Sequence, residues 1–216
     1  MVNSEKKEIW ELTWGREYSP VIKNKVIYSA LEAIDDADKI GDVVVDVGSG
    51  ADPMSGHLLN RPRKIIELDL VGGENVFQNT LKLELDINKI SENCAETRRA
   101  LSMAGQFLGV ESVQGVHPKL VDTMIFSQIL NYVDFKSVLT ELFKYLKSKG
   151  RVIVFNAPLT GFSSQFSQQG LVNNSELYKF LNEQGFVIET LIFPDTAIPC
   201  EKGEEMIFLV AQKAGK

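Results

Sequence analysis

The side chains most capable of chemistry sit where apolar runs stop. Val43-Val44-Val45-Asp46-Val47 leads directly into Gly48-Ser49-Gly50. A β-branched run of this kind reads as a buried parallel strand. Two glycines one residue apart read as a tight turn that takes positive φ and lets a ligand lie against backbone. Asp52 is a good N-cap and Pro53 suits the first helical position, so the expected unit is strand, glycine turn, helix. That geometry binds nucleotide-like cofactors at the carboxyl edge of an open α/β sheet. A second apolar run, residues 64–70, places Asp69 about twenty residues past Gly48. A carboxylate there accepts both hydroxyls of a ribose. Glu67 is its rival on the same strand face; Asp69 is favoured because it stands nearer the strand end. A tight turn without ligand is the plain alternative. A dinucleotide site is another, but its G-x-G-x-x-G spacing puts Pro53 where a small residue belongs, and a ring there hinders packing of helix on strand.

Further strands supply more polar ends. Residues 81–87 alternate and finish on Asp86-Ile87. Residues 120–127 form an apolar strand ending on Ser127, followed by Gln128-Ile129-Leu130-Asn131-Tyr132-Val133-Asp134. Val138, Leu139, Leu142, Phe143 and Leu146 have helical spacing, Asp134 is placed to cap that helix, and Lys147-Ser148-Lys149-Gly150 is read as its close. Residues 151–156 are the next strand, ending on Asn156.

Taken in order, these stretches resemble the motifs of class I S-adenosylmethionine-dependent methyltransferases of the small-molecule type. The apolar run with Asp46, Gly48, Ser49 and Gly50 is similar to the first motif, the strand ending at Asp69-Leu70 to the second, Asp86-Ile87 to the third, and the strand running into 128–134 to the fourth. Helix, Leu146-Lys147-x-x-Gly150, then an apolar strand fits the same family, and the likeness spans roughly residues 40–212. Asp52-Pro53 departs from it, since the family carries a third glycine there. The resemblance implies an α/β, Rossmann-like, seven-stranded, mostly parallel sheet of order 3-2-1-4-5-7-6 with the last strand antiparallel and helices on both faces. It also implies S-adenosyl-L-methionine as cofactor. Gly48, Ser49 and Gly50 would bring backbone to its methionine part, and Asp46 would anchor the loop or meet the amino group. Asp69, with Leu70, would take the ribose, Asp86 the adenine amino group and Ile87 the ring. Ser127 and Gln128 would line the floor, and Tyr18 in the N-terminal segment would meet the carboxylate.

Bulk properties narrow the partners. Hydrophobic content of 44% and charged content of 24% are ordinary for a globular chain. A net charge of −6 argues against a substrate bound mainly through phosphates, such as bulk DNA or RNA. Arg61-Pro62-Arg63-Lys64 is the only dense basic run and reads as a solvated turn. Cys94 and Cys200 lie far apart with no CxxC, which points to free thiols in a reducing compartment. No apolar stretch approaches the roughly 18 residues of a membrane span, and no signal-peptide core is present, so a cytoplasmic protein away from membranes is expected.

The 216 residues are expected to form one domain, 1–39 a helical lid and 40–216 the core. Residues 5–37 read as helical, first around Trp10 and Trp14, then as a stripe of Val21, Val26, Ile27, Leu31 and Ile34. Only about ten residues separate Leu70 from Leu81, too few for a crossover helix. The longer stretch 88–119 holds a helix with Ser91 as cap and Cys94, Leu101, Ala104 and Leu108 on one face. Residues 157–170 are Ser/Gln-rich with Phe162 and Phe166, and their place after a central strand favours an acceptor-binding loop. Ser175 is read as the cap of a helix with Leu177, Phe180 and Leu181, which Gly185 stops before strands 186–192 and 206–211.

Methyl transfer from a sulfonium is an in-line displacement that needs an aligned acceptor and only sometimes a base. His117 precedes the fourth core strand, at the amino end of the sheet, and His57 recedes from the cofactor, so neither is placed as the base. Tyr132 and Tyr18 are the weak catalytic candidates. Phe162, Phe166, Tyr132 and Asn156 are the expected contacts of a small-molecule acceptor. Strand ends carrying Ser127 and Asn156 in place of carboxylates predict no metal. A cofactor-binding scaffold without catalysis and a nicotinamide oxidoreductase are the rival readings.

Overall fold

The computed structural model describes residues 25–50, 53–58, 62–71, 74–92, 94–110, 119–156, 170–194 and 205–215. Its centre is one sheet. The strands are β1 (Val43–Val47), β2 (Lys64–Asp69), β3 (Asn75–Phe77), β4 (Thr80–Glu84), β5 (Val121–Ser127), β6 (Leu146–Asn156), β7 (Phe186–Ile192) and β8 (Ile207–Lys213). They lie in the order β3-β4-β2-β1-β5-β6-β8-β7. β4, β2, β1, β5 and β6 are mutually parallel, whereas β8 is antiparallel to both β6 and β7. Leaving out β3, the order is the expected 3-2-1-4-5-7-6. β3 corrects the strand count to eight. It pairs antiparallel with β4 at the edge, so a hairpin joins the parallel strands β2 and β4 where the connection is too short for a helix.

Helices cover both faces. α1 (Lys25–Asp36) packs Ile27, Leu31 and Ile34 on one face, against Val44, Ile125, Ile153 and Phe155. α2 (Ala95–Leu108), α3 (Phe135–Leu142) and α4 (Asn174–Glu183) lie over the other, where Val45, Val47, Leu68, Phe126, Val152 and Val154 form the larger core. The alternation of β1 explains the split, since successive side chains leave opposite faces. None of the helices in the described residues is long and apolar enough to cross a membrane.

Several local readings are corrected. After the glycine turn there is no α-helix among the described residues, only a 3-10 turn, Met54–His57; Pro53 precedes it in extended conformation, with ψ of 136°. Lys147–Gly150 does not close α3, which ends at Leu142. The Tyr145 carbonyl instead accepts the Val121 amide at 3.1 Å and draws Leu146 into the sheet. The pairing of β5 with β6 then skips from Val121↔Leu146 to Thr123↔Arg151, a bulge. Gly150 serves that bulge, because a Cβ there would lie 2.8 Å from Leu146 Cγ.

Two caps are also reassigned. Cys94, not Ser91, caps α2, its Sγ accepting the Thr97 amide at 3.4 Å, while Ser91 closes an earlier 3-10 turn. Of the expected face of α2, Ala104 and Leu108 pack against the core beside buried Thr97 and Ala100, whereas Leu101 is exposed. Asn173, not Ser175, caps α4, its Oδ1 accepting the Ser175 amide at 2.8 Å.

Arg63 is the largest departure. The basic run is no solvated turn there, because Arg63 is buried and its guanidinium forks onto both carboxylate oxygens of buried Asp35. Its Nε also donates to the Gly41 carbonyl at 2.9 Å, tying the end of α1 to the start of β1. This staple lies at the amino end of the sheet.

Candidate cofactor site

The site begins where β1 ends. Gly48 has φ of 71° and Gly50 φ of 61°, the left-handed region that glycine enters without strain. At Gly48 space excludes a side chain as well: a Cβ would lie 2.7 Å from Ile129 Cβ. The amides of Gly48 and Ser49 donate to the Leu68 carbonyl at 2.8 and 3.4 Å, and that of Gly50 to Asp69 Oδ2 at 2.7 Å. All three turn amides are therefore bound to the end of β2.

The two acids of β2 have separate environments. Asp69 also accepts the Val71 amide at 3.1 Å. Burial pushes its carboxyl pKa up; the amides of Gly50, Val71 and Leu70 and the charge of Lys82 oppose that without cancelling it. Glu67 stands opposite Asp46 on β1 and Lys82 on β4. It forms an ion pair with Lys82 at 2.9 Å and accepts from Ser55 Oγ at 3.3 Å. Asp46, fully buried, accepts the Ser55 amide at 2.8 Å. Ser55 thus links two acids beneath the glycine turn, a role the sequence analysis missed.

A cleft opens beside the turn, lined by Gly48, Leu68, Asp69, Leu70, Leu85, Asp86, Ile87, Asn88, Ile129, Tyr132 and Val133. Six of these were expected site residues: Gly48, Asp69, Leu70, Asp86, Ile87 and Tyr132. Leu68, Leu85, Asn88, Ile129 and Val133 were not, although each flanks one that was. Glu67 is not on the wall. Asp86 caps the 3-10 turn Ile87–Ser91 by accepting the Asn88 amide at 3.2 Å. Asn88 Oδ1 in turn accepts the Asp134 amide at 3.0 Å, and Asp134 caps α3 as expected.

Of the other expected residues, Ser127, Gln128 and Asn156 are not on the wall, whereas Tyr132 is. Ser127 ends β5, buried; Gln128 follows with φ of 57°, its amide donating to the Phe155 carbonyl at 2.8 Å. Asn156 ends β6, fully buried, with Nδ2 donating to Asn131 Oδ1 at 2.9 Å. Tyr132 is nearly buried, and burial pushes its phenol pKa well up, so the group holds its proton at neutral pH. His57 packs against Tyr28 of α1, ring centroids 4.1 Å apart, away from the cleft wall. Tyr18, Phe162, Phe166, His117 and Asp52 lie outside the described residues. Among the described residues no group of three His, Cys, Asp or Glu side chains is arranged to hold a metal ion.

This strand order, with the glycine turn after its first core strand and acids ending the next two, is shared with solved class I S-adenosylmethionine-dependent methyltransferases, a likeness of fold. Three solved structures give particulars. The 1,6-didemethyltoxoflavin-N1-methyltransferase of Burkholderia thailandensis, solved with 1,6-didemethyltoxoflavin and S-adenosylhomocysteine, matches with TM-score 0.64 at 12% identity, over 98% of this chain and 88% of that one. The N-methyltransferase NodS of Bradyrhizobium japonicum WM9, solved with S-adenosyl-L-homocysteine, matches with TM-score 0.62 at 10% identity over 98% of each chain. The CurJ carbon methyltransferase matches with TM-score 0.59 at 14% identity, over 98% of this chain and 59% of that one. No family model matches the sequence, and no curated protein does.

Proposed function

We propose that this chain is an S-adenosylmethionine-dependent methyltransferase acting on a small molecule. The observation that carries the reading is the charge of the cleft. Among the described residues its wall holds Asp69 and Asp86 and no Lys or Arg, and all three amides of the glycine turn are already donated to Leu68 and Asp69. A pyrophosphate requires free amides at a helix N-terminus and a favourable field; here it would meet two acids. An adenosine-based ligand carrying a sulfonium and no phosphate meets charge of the opposite sign.

The residues fit that ligand. Asp69 stands on the cleft wall, and its carboxylate is the acceptor we assign to the ribose hydroxyls. Asp86 suits the adenine amino group and Ile87 the ring. Gly48 lets the methionine part approach backbone, and Asp46 holds the turn through Ser55. Ser127 and Gln128 floor the methionine end, with Tyr18 at its carboxylate. When bound, S-adenosylmethionine supplies an electrophilic methyl group with a thioether leaving group. The chain's own task is to hold the acceptor in line at about 3–3.5 Å, an alignment that accounts for about 7–11 kcal/mol of barrier. Tyr132, Asn156, Phe162 and Phe166 are the residues we assign to that task. Tyr132, its phenol protonated, serves as a donor and not as a base. The acceptor then arrives nucleophilic or gives its proton to water or to a local polar group. Two widely spaced cysteines with no CxxC support a reducing compartment, and we assign the reaction to the cytoplasm.

The bound S-adenosylhomocysteine of the toxoflavin N1-methyltransferase and of NodS supports the cofactor, and the 1,6-didemethyltoxoflavin bound in the former supports a small acceptor. The test is methyl-labelled S-adenosylmethionine incubated with the protein and a panel of small nucleophiles. Label in a product supports the reading; cofactor binding with no transfer to any acceptor would favour a non-catalytic module.

A further inference from the structure

The carboxyl end of β6 carries a polar group that nothing in the cofactor site uses. Asn156 ends that strand and has no exposed surface. Val152 and Val154, two and four positions earlier, belong to the larger core, so Asn156 continues the sheet face on which the cleft opens. β6 lies beyond β5, on the side of the cleft away from the Asp69 end of β2. There Asn156 Nδ2 donates to Asn131 Oδ1 at 2.9 Å. That bond fixes the direction of the amide and leaves Asn156 Oδ1 without a hydrogen-bond donor among the described residues. Buried acceptors in folded proteins nearly always have a partner, because an unmet one is costly.

Asn131 is itself held in place. Gly170 packs so closely on it that a Cβ there would overlap the Asn131 carbonyl oxygen, and the next amide, Leu171, donates to the Leu130 carbonyl at 2.9 Å. The backbone at Gly170 and Leu171 therefore locks the residue that orients Asn156.

Resting on the methyltransferase reading, we propose that Asn156 Oδ1 receives a hydrogen bond from the methyl acceptor. The acceptor then belongs to the class of small molecules that carry an N–H or O–H donor besides the atom methylated. Asn156 touches the substrate; Asn131 is a positioning residue. A site built around a buried acceptor rejects analogues whose donor is blocked, because its oxygen would stay unpaired.

The test uses the full chain, ¹⁵N-labelled and saturated with S-adenosylhomocysteine. The probes are matched pairs: phenol with anisole, and benzimidazole with 1-methylbenzimidazole. In at least one pair the donor-bearing member should bind at least tenfold tighter than its blocked partner and shift the Asn156 side-chain amide signal. In Asn156→Leu that preference should fall below twofold, with S-adenosylhomocysteine affinity kept within twofold. Asn131→Leu should also lose the preference, and Asn131→Asp, which keeps an acceptor for Asn156 Nδ2, should retain it. Equal binding within every pair, no binding by either donor, or a preference that survives in Asn156→Leu overturns the proposal. If Asn156→Leu does not fold, the wild-type pairs and the amide shift decide. Failure of the wild-type chain to bind S-adenosylhomocysteine would instead count against the methyltransferase reading.

Discussion

Asp69 Oδ2 accepts the amide hydrogen of Gly50 at 2.7 Å, so the acid that ends β2 and the turn that ends β1 form one unit. In our reading the same carboxylate takes the ribose. Asp69→Ala should remove a pair of charge-assisted hydrogen bonds, each worth roughly 1.5–3 kcal/mol, along with the anchor of Gly50. S-adenosylhomocysteine affinity, measured calorimetrically, should fall at least tenfold, and Asp69→Asn, which keeps one acceptor oxygen, should fall between. Glu67→Ala should lower thermal stability by orphaning Ser55 and Lys82 while leaving affinity within threefold. The reverse pattern would make Glu67 the ribose ligand.

The raised pKa of Asp69 has two consequences of opposite sign. A carboxyl whose folded pKa lies above its unfolded value of about 3.9 favours the fold in its protonated form. Its contribution to stability is therefore full below the unfolded value and is lost as pH rises through the folded one. Cofactor binding needs the ionised form, and should weaken as pH falls through the folded pKa, before ordinary carboxylates titrate. We expect affinity to drop on acidification within this window while Asp69 withdraws no stability. Asp69→Asn should flatten the affinity profile.

Gly48 and Gly50 share positive φ but not surroundings. A side chain at Gly48 meets Ile129, whereas a Cβ at Gly50 has open space. Gly48→Ala and Gly50→Ala should each cost about 1–2 kcal/mol for the left-handed backbone, with a further steric cost at Gly48 only. In a double-mutant cycle, Ile129→Ala should recover part of the Gly48→Ala loss. Strict additivity would show that the contact carries no energy.

Asp35 and Arg63 form a buried ion pair. Asp35→Ala or Arg63→Leu should each cost about 3–5 kcal/mol, because the surviving charge is left buried and unpaired. Replacing both with apolar residues should cost far less. Urea midpoints at constant m-value would measure this, and an equal loss in the single and double variants would refute it.

Much of the frame was legible where one local signal outweighed the rest. The apolar runs of β1 and β5 read as buried strands, Asp134 as a cap and Gly185, with φ of 79°, as a stop. Signals failed where a distant partner decides the outcome. Nothing local to Arg63 reveals that Asp35, 28 residues earlier, buries it. Lys147–Gly150 has a helix-ending composition, yet strand pairing with Val121 captures Leu146 first. Two cap choices failed by proximity, since Cys94 and Asn173 stand within three residues of the serines preferred by type. On the cleft wall, Gly48, Asp69 and Asp86 were legible because each stands where an apolar run stops. Leu68, Leu85 and Val133 were not, because an apolar wall looks like core in sequence.

The central claim is that the cleft takes a phosphate-free, positively charged adenosine cofactor, and calorimetric titration of the full chain tests it most directly. S-adenosylmethionine and S-adenosylhomocysteine should bind competitively at one site, and NAD should neither bind at comparable concentration nor displace them. NAD binding at the Asp69 cleft, or no heat with either S-adenosyl compound, would contradict the account.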